Sequence, residues 1–251
     1  GITHVIRGKD HIANTARQRY IFDYFGWKSP VYRHYGRMGI EGVVLSTSQM
    51  RRGIDEGTYT GWDDIRLGTL RAIARRGITP EAVRNAVLEI GIGETDISFS
   101  WENLYAKNRD VVDPIANRYS FVPDPVLLEI GDAPCGLTVE SLLHPGDPPR
   151  GVRRLSFDGS AYIPKADLDE NCGRMIRLKD LFNITLGEGK DCLVAKFAGK
   201  SLDEARKAKA PIVQWLPPAH TIPCILHRPA GEMKGYCEPM VSLDLGKVAQ
   251  F

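Results

Sequence analysis

Three side chains that could bind a charged ligand stand just after the first apolar run of the chain. Residues 2–6 predict a short strand, and Arg7, Asp10 and His11 follow it in a turn. Ligands of open α/β sheets bind beyond the carboxyl ends of the strands, where this turn would lie. The planar guanidinium of Arg7 can bond both oxygens of a carboxylate, and Asp10 can accept hydrogen bonds from ribose hydroxyls. The spacing by itself favours the plainer alternative, a salt-bridged surface turn without a ligand.

A second candidate site is the hydroxyl-rich stretch Ser46, Thr47 and Ser48. It follows a strand-like run at residues 43–45 and precedes Arg51 and Arg52. A loop of this kind can close over a triphosphate, because hydroxyl and backbone N–H groups bind phosphate oxygens while the arginines offset their charge. On local evidence alone, a polar connector is the favoured alternative.

Helix signals dominate the chain up to Asp113 and Pro114. Apolar residues recur at helical spacing from Ile12 to Phe25 and predict an amphipathic helix between the first strand and a second one at residues 31–37. Three further helices are predicted: one that starts at residues 60–64, buries Ile65, Leu70 and Ile73 and ends at Gly77, one from Pro80 to Gly91, and one from Trp101 to Val112.

A basic stripe is predicted on the first of these three helices. Arg71 and Arg75 are four residues apart and so share one helical face, with Arg76 beside them. Such a stripe could contact the phosphates of a nucleic acid without reading its sequence. A solvated charged face paired with nearby acids is an equally good interpretation.

Short alternating runs broken by Pro and Gly replace the helical pattern after Pro114 and indicate sandwich or barrel β structure.

The composition does not indicate a particular binding partner, because 33 Lys and Arg nearly balance 31 Asp and Glu among 251 residues. The five cysteines are an odd number without a C-x-x-C pair, which argues against a zinc site or a disulfide framework. No apolar run spans a bilayer, and we expect a cytoplasmic protein whose two ends look like cuts.

Several blocks together resemble the class I glutamyl-tRNA synthetases of the archaeal and eukaryotic kind, over essentially the whole chain. Residues 2–12, with Asn14, Thr15 and Gly26-Trp27, look like the segment after the connective insertion of that family. Residues 45–48 fall where the family carries its K-M-S-K-S signature, and residues 61–67 are similar to its stem-contact helices. Residues 113–119 resemble the entry to its anticodon-binding barrels.

The resemblance implies a multidomain fold. Residues 1–50 would be the end of a Rossmann-like α/β catalytic domain with a K-M-S-K-S-like loop. Residues 51–117 would form an α-helical stem-contact domain, and residues 118–251 two all-β anticodon-binding barrels, the last one incomplete. No H-I-G-H-type motif occurs in these residues, so we expect the fragment alone to bind tRNA without forming glutamyl-adenylate.

The resemblance also implies roles for individual residues. Arg7 would bind glutamate, Asp10 and His11 would lie near the ribose and adenine of ATP, and Ser46, Thr47 and Ser48 would form the catalytic signature. Thr47 replaces the second lysine of the signature, so the missing charge would come from elsewhere, with Arg51 or Arg52 as candidates. The residues expected to bind tRNA are Arg71, Arg75, Arg76, Arg118 and Arg153.

The expected activity is therefore ATP-dependent attachment of glutamate to tRNA. ATP with Mg²⁺, glutamate and tRNA(Glu) are the expected ligands of a monomer, and charging of tRNA(Gln) is left open. Two alternatives remain: a glutaminyl-tRNA synthetase, which the cation at Arg7 disfavours, and a non-catalytic tRNA-binding module.

Overall fold

The computed structural model describes residues 1–189 and 192–251 and divides into two compact units, Gly1–Asp113 and Pro114–Phe251. This division falls where the sequence changes from helical to strand-like patterns. Each unit therefore has its own core, as expected for chains of this length.

The first unit opens with a parallel β-α-β arrangement. Strands β1 (His4–Gly8) and β2 (Val31–Tyr35) pair in parallel, with helix α1 (Ile12–Tyr24) between them in sequence. The register places Arg7 opposite His34. The remaining elements of this unit are β3 (Met38–Ile40), α2 (Thr47–Asp55), α3 (Leu70–Arg75), α4 (Pro80–Ile90), β4 (Ile97–Phe99) and α5 (Trp101–Val112).

Helix α1 occupies the predicted residues but is not amphipathic within this unit. Thr15 is the one residue of α1 that is buried, and all of α1 lies in the described part of the chain. The apolar side chains of Tyr20, Ile21 and Tyr24 are exposed instead. The prediction of a buried apolar stripe is therefore wrong for these described residues, since the helix contacts its sheet through a polar residue.

The strand expected at residues 43–45 is also misplaced. The strand here is β3, which pairs in parallel with β4, and Gly42 then turns the chain with a φ of 69°. The hydroxyl-rich stretch is not a loop, because α2 begins at Thr47 with Ser46 at its N-cap position. The chain after the turn packs closely on Gly68, where a Cβ atom would approach Leu45 Cδ2 to 2.5 Å.

The helix predicted from residues 60–64 starts later, at Leu70, where the Thr69 hydroxyl accepts from the Ala72 N–H. Leu70 is exposed rather than buried. The preceding residues fold into turns around Asp64, which is 4% exposed. Its carboxylate accepts from the Thr60 N–H at 3.0 Å and from Nε and Nη2 of Arg66 at 2.9 and 2.7 Å. This network opposes helix formation here, because the side chain satisfies N–H groups that a helix would otherwise use.

We predict that Asp64→Asn lowers the free energy of unfolding of the first unit by about 2–3 kcal/mol, since charge-assisted hydrogen bonds to Arg66 are lost. These bonds hold the pKa of Asp64 well below its usual value. The stabilisation is therefore complete above about pH 4 and disappears as the pH falls through the lowered folded-state pKa. Urea unfolding at pH 7 and pH 3 measures this, and a difference between wild type and variant that persists unchanged at pH 3 contradicts it.

Helices α4 and α5 confirm their predictions. The Thr79 hydroxyl caps α4 by accepting from the Ala82 N–H, Pro80 stands in the first turn, and Gly91 ends the helix with a φ of 70°. The two helices pack with α3 and its following turn in a core of five buried residues: Ile73, Ile78, Ala82, Ala86 and Leu104.

The second unit is built mainly from strands. Its larger sheet has the order β10-β7-β13-β12-β11-β14, and a bridge between Tyr162 of β10 and Leu216, just after β14, nearly closes it into a barrel. The strands of this sheet are β7 (Pro125–Gly131), β10 (Ser160–Pro164), β11 (Met175–Leu178), β12 (Asn183–Leu186), β13 (Val194–Phe197) and β14 (Ile212–Val213). Large residues including Phe157, Phe182 and Trp215 fill its core.

Smaller sheets and two helices complete the second unit. Its other sheets are a three-stranded sheet, an antiparallel pair and a parallel pair. The remaining elements are β5 (Asn117–Arg118), β6 (Phe121–Pro123), β8 (Leu137–Leu142), β9 (Val152–Phe157), α6 (Lys165–Asn171), α7 (Leu202–Lys207), β15 (Ile222–Arg228), β16 (Gly231–Cys237) and β17 (Ala249–Gln250). The described residues contain one nearly closed barrel, and outside it the largest sheet of this unit is the three-stranded sheet β15-β16-β6, so the second predicted barrel stays a prediction.

A disulfide joins Cys172, just after α6, to Cys192, with their Cα atoms 5.7 Å apart. The prediction that the cysteines form no disulfide framework is corrected for this pair. Their separation of 20 positions does not predict a disulfide. The two residues meet only in the folded chain, where both sulfur atoms lie near the Gly187 carbonyl oxygen.

Candidate functional site

Arg7 lies near the carboxyl end of β1, on the sheet face covered by α1. Its Nη2 donates a hydrogen bond to the hydroxyl of Thr15, and its guanidinium carbon lies 5.0 Å from the centre of the Tyr32 ring. The buried Nε atom has no hydrogen-bond partner in the described residues. No Asp or Glu of that part of the chain forms an ion pair with Arg7 either. A guanidinium with a spare buried donor and no counter-ion is suited to bind an anionic ligand.

Asp10 and His11 follow β1, as predicted, and lie in a short 3-10 helix, Lys9–His11, where a turn was expected. They line an open depression of about 470 Å³ together with the ends of both parallel strands, at Gly8 and Tyr35. Asp10 is exposed, with its carboxylate 3.7 Å from His11 Nε2. Both side chains are thus free to meet a polar ligand at this edge of the sheet.

A second depression of about 630 Å³ adjoins the first, because both are lined by Arg37 and Met38. Ser46 and Gln49 line its far side. The Ser46 and Ser48 hydroxyl oxygens are 3.1 Å apart at the beginning of α2. The N-terminus of a helix binds anions, because its first N–H groups have no partner within the helix. The two hydroxyls and the first N–H groups of α2 are therefore hydrogen-bond donors of the kind that phosphate oxygens accept.

A charged pair beside the first depression was not predicted from the sequence. Lys9 Nζ lies 2.9 Å from Asp96 Oδ1, and the Arg37 N–H donates to the same oxygen at 2.6 Å. The hydrogen bond from Lys9 lowers the pKa of Asp96. Asp96 precedes β4, far along the chain, so only the β3–β4 pairing brings it to the site.

The predicted basic stripe is only partly available to a ligand. Arg71 is exposed, and Arg75 is exposed but forms a 2.8 Å ion pair with Asp63. Arg76 is half-buried, because its guanidinium stacks 3.5 Å from the centre of the Trp101 ring and Nε donates to the Ile65 carbonyl oxygen. Arg76 therefore has a structural role in this unit.

Arg153, predicted to bind tRNA, is 2% exposed. Its Nη1 forms a 2.7 Å ion pair with Glu238 and donates to the Ser120 hydroxyl at 2.9 Å. The structure therefore argues against a tRNA contact by Arg153, which instead ties β9 to the segment after β16. Arg118 is half-buried, and its Nε donates to Gln250 Oε1 at 3.1 Å.

Two aromatic residues that could have stacked on bases are also buried. Trp215 is 1% exposed and donates from Nε1 to the Lys179 carbonyl oxygen, and Tyr119 is 2% exposed and donates to Asp244 Oδ2. Both belong to the core of the second unit.

Comparison with known proteins gives the same division of the chain. A profile described as "tRNA synthetases class I (E and Q), catalytic domain" matches residues 1–114. A second profile, "tRNA synthetases class I (E and Q), anti-codon binding domain", matches residues 116–196. The chain belongs to the class I glutamyl- and glutaminyl-tRNA synthetase family.

Curated relatives in this family match the chain from end to end. The protein named glutamate–tRNA ligase of Methanoculleus marisnigri is 62% identical over 251 residues, which are 100% of this chain and 44% of that protein. The ligase of the same name from Methanospirillum hungatei is 60% identical over 252 residues, again 100% and 44%. That of Pyrococcus horikoshii is 46% identical over 258 residues, 100% and 45%. The chain thus spans less than half the length of these relatives.

Membrane-spanning helices and metal-binding clusters are both absent from the described residues. No helix there is both long and apolar enough to cross a membrane. The same residues contain no cluster of three or more His, Cys, Asp or Glu side chains arranged to hold a metal ion.

Proposed function

We propose that the complete protein attaches glutamate to tRNA in an ATP-dependent reaction that passes through glutamyl-adenylate. Arg7 supports glutamate as the substrate, since its guanidinium, at the edge of the parallel sheet, has no counter-ion among the residues that the structure describes. In this reaction the α-carboxylate of glutamate attacks the α-phosphate of ATP and pyrophosphate leaves. A ribose hydroxyl at the end of the tRNA then attacks the acyl carbon, and AMP leaves. Catalysis depends mainly on positioning and on stabilising phosphate charge.

We assign ATP to the two adjoining depressions. Asp10 and His11 would lie beside its ribose and adenine, and the helix start at Ser46, Thr47 and Ser48 would contact the leaving pyrophosphate. Mg²⁺ would arrive with the phosphates, as is usual for ATP. The exposed side chains of Arg51 and Arg52 follow within α2 and can supply the charge that Thr47 lacks.

We assign backbone contacts with tRNA to Arg71 and Arg75, and a contact near the barrel entry to Arg118. The protein would work as a monomer in the cytoplasm. A glutaminyl enzyme and a non-catalytic tRNA-binding module are the competing functions.

We predict that Arg71→Ala together with Arg75→Ala weakens tRNA binding about 10-fold at low salt, because two phosphate contacts are lost. The slope of log affinity against log salt concentration should become shallower by about 1 to 2 units. Filter binding over a salt series measures both quantities. Glu81→Ala, at an exposed acidic position of α4, is the matched control and should not weaken binding. An unchanged salt slope in the double variant contradicts these contacts.

Charging assays on the complete protein test the proposed function. Labelled glutamate or glutamine is offered with ATP and with purified tRNA(Glu) or tRNA(Gln). Glutamate on tRNA(Glu) is the expected product. Transfer of glutamine instead identifies a glutaminyl enzyme, whereas tRNA binding without transfer of either amino acid identifies the binding module.

A further inference from the structure

The guanidinium of Arg7 is held by a hydrogen-bond chain that crosses the β-α-β unit. Arg7 Nη2 donates to the Thr15 hydroxyl of α1, and that oxygen lies 2.9 Å from Nε2 of His34 on β2. Arg7 and His34 are register partners in adjacent parallel strands, so their side chains project from the same sheet face. Thr15 therefore sits over the sheet at the point where both side chains meet it.

The burial of Thr15 points to a specific role for this hydroxyl. Thr15 is 6% exposed and is the only buried residue of α1, which lies wholly within the described residues, at a place where helices normally bury apolar side chains. Its hydroxyl has an alternative acceptor in the His11 carbonyl oxygen, but at 3.5 Å this is much longer than the distance to His34. Because the Thr15 oxygen accepts from Arg7, its hydrogen can be donated to Nε2 of His34, which is the nearer acceptor in the tautomer that carries no proton on that nitrogen.

We infer that Thr15 and His34 are positioning residues for Arg7, which they hold in the orientation that binds the glutamate carboxylate. This inference rests on the proposed function. An arginine side chain has about 2 kcal/mol of rotamer entropy, so a guanidinium without a fixed partner binds its ligand less well. The guanidinium carbon lies 5.0 Å from the centre of the Tyr32 ring, and Nη2 donates to the Thr15 hydroxyl, so two contacts restrict the orientation of the guanidinium.

Thr15→Val tests the inference, because valine keeps the shape of threonine and removes the hydroxyl. In tRNA-charging assays on the complete protein we expect the KM for glutamate to rise about 10-fold, while the KM for ATP changes less than about 3-fold, as loss of one charge-assisted hydrogen bond would produce. Thr15→Ser keeps the hydroxyl and should restore the KM for glutamate to within about 3-fold of wild type.

His34→Phe is the second variant, in case Thr15→Val does not fold. It leaves the Thr15 hydroxyl unoriented, and we expect the KM for glutamate to rise about 3- to 10-fold. His34→Gln, which offers a polar partner again, should lie closer to wild type. Thermal unfolding of each variant, compared with wild type, reports whether the fold is intact.

The possible outcomes separate this inference from the proposed function. An inactive wild-type protein overturns the proposed function. An active wild type with an unchanged KM for glutamate in both Thr15→Val and His34→Phe overturns the positioning role alone. Equal increases in the KM for glutamate and the KM for ATP also overturn it, because they indicate a general structural defect.

Discussion

Replacing Arg7 with alanine in the complete protein is expected to lower kcat/KM for glutamate about 1,000-fold. Removal of one partner from a hydrogen-bonded charge pair shielded from water costs roughly 2–5 kcal/mol, and 4 kcal/mol corresponds to about three orders of magnitude in rate. The described residues offer no second cation beside the Tyr32 ring that could replace the guanidinium. Charging of tRNA with labelled glutamate at several glutamate concentrations measures the effect.

Two further substitutions serve as comparison variants in this experiment. Arg7→Lys keeps the positive charge but loses the planar fork, so it should recover only part of the activity. Arg33→Ala changes an exposed arginine of β2 whose register partner is Ile6, on the other face of the same sheet, and it should leave the KM for glutamate unchanged. If Arg7→Ala charges tRNA with wild-type kinetics, Arg7 does not bind glutamate.

Replacing Arg153 with methionine is expected to reduce the free energy of unfolding of the second unit by about 3–5 kcal/mol, because it leaves the Glu238 carboxylate buried without its cation. Glu238 is 1% exposed, and among the described residues its remaining hydrogen-bond donor would be the Ser120 N–H, at 2.5 Å from Oε1. Burial already raises the pKa of Glu238. Without Arg153 the carboxyl group would be more easily protonated in the folded state, so the stability loss should grow as the pH rises. Hydrogen exchange of peptides from β9 and β16, followed by mass spectrometry, measures the change.

The neighbouring residue provides a matched control. Arg154 pairs with Glu140 at 2.7 Å on the exposed face of β9, so Arg154→Met should cost less than about 1 kcal/mol. Combining Arg153→Met with Glu238→Gln removes both buried charges and should recover about half of the lost stability. Equal effects of Arg153→Met and Arg154→Met would show that the buried pair does not stabilise this unit.

The helices show why some elements could be predicted and others could not. Helix α4 carries its own signals, a capping Thr79, a first-turn Pro80 and a terminating Gly91, and it forms as predicted. Helix α3 begins at Leu70 rather than at residues 60–64, because Asp64 gathers Thr60 and Arg66 into a turn. Helical spacing describes the side chains along a single helix, so it cannot indicate a competing network of side-chain hydrogen bonds.

The site residues divide in the same way. The nearness of Arg7 to Asp10 and His11 was predictable because a strand end and its following residues are adjacent in sequence. The predicted turn was wrong for Arg7, which lies within β1. Arg153 was predicted to bind tRNA, yet it is buried and paired with Glu238, a partner 85 positions away that no local pattern could indicate. Asp96 joins the site through the pairing of β4 with β3, and no local pattern could indicate that contact.

The sequence by itself determined the family, the boundary near Asp113 and Pro114, and the short elements whose caps and turns are local. Only the tertiary structure decided which charged side chains are accessible: Arg7 has no ion-pair partner among the described residues, whereas Arg76 donates to a backbone carbonyl oxygen and Arg153 pairs with a buried carboxylate. Charge and residue type are properties of single positions, but burial and pairing depend on segments that are distant in the chain. Those distant segments therefore separate the arginines that can bind a ligand from those that hold the protein together.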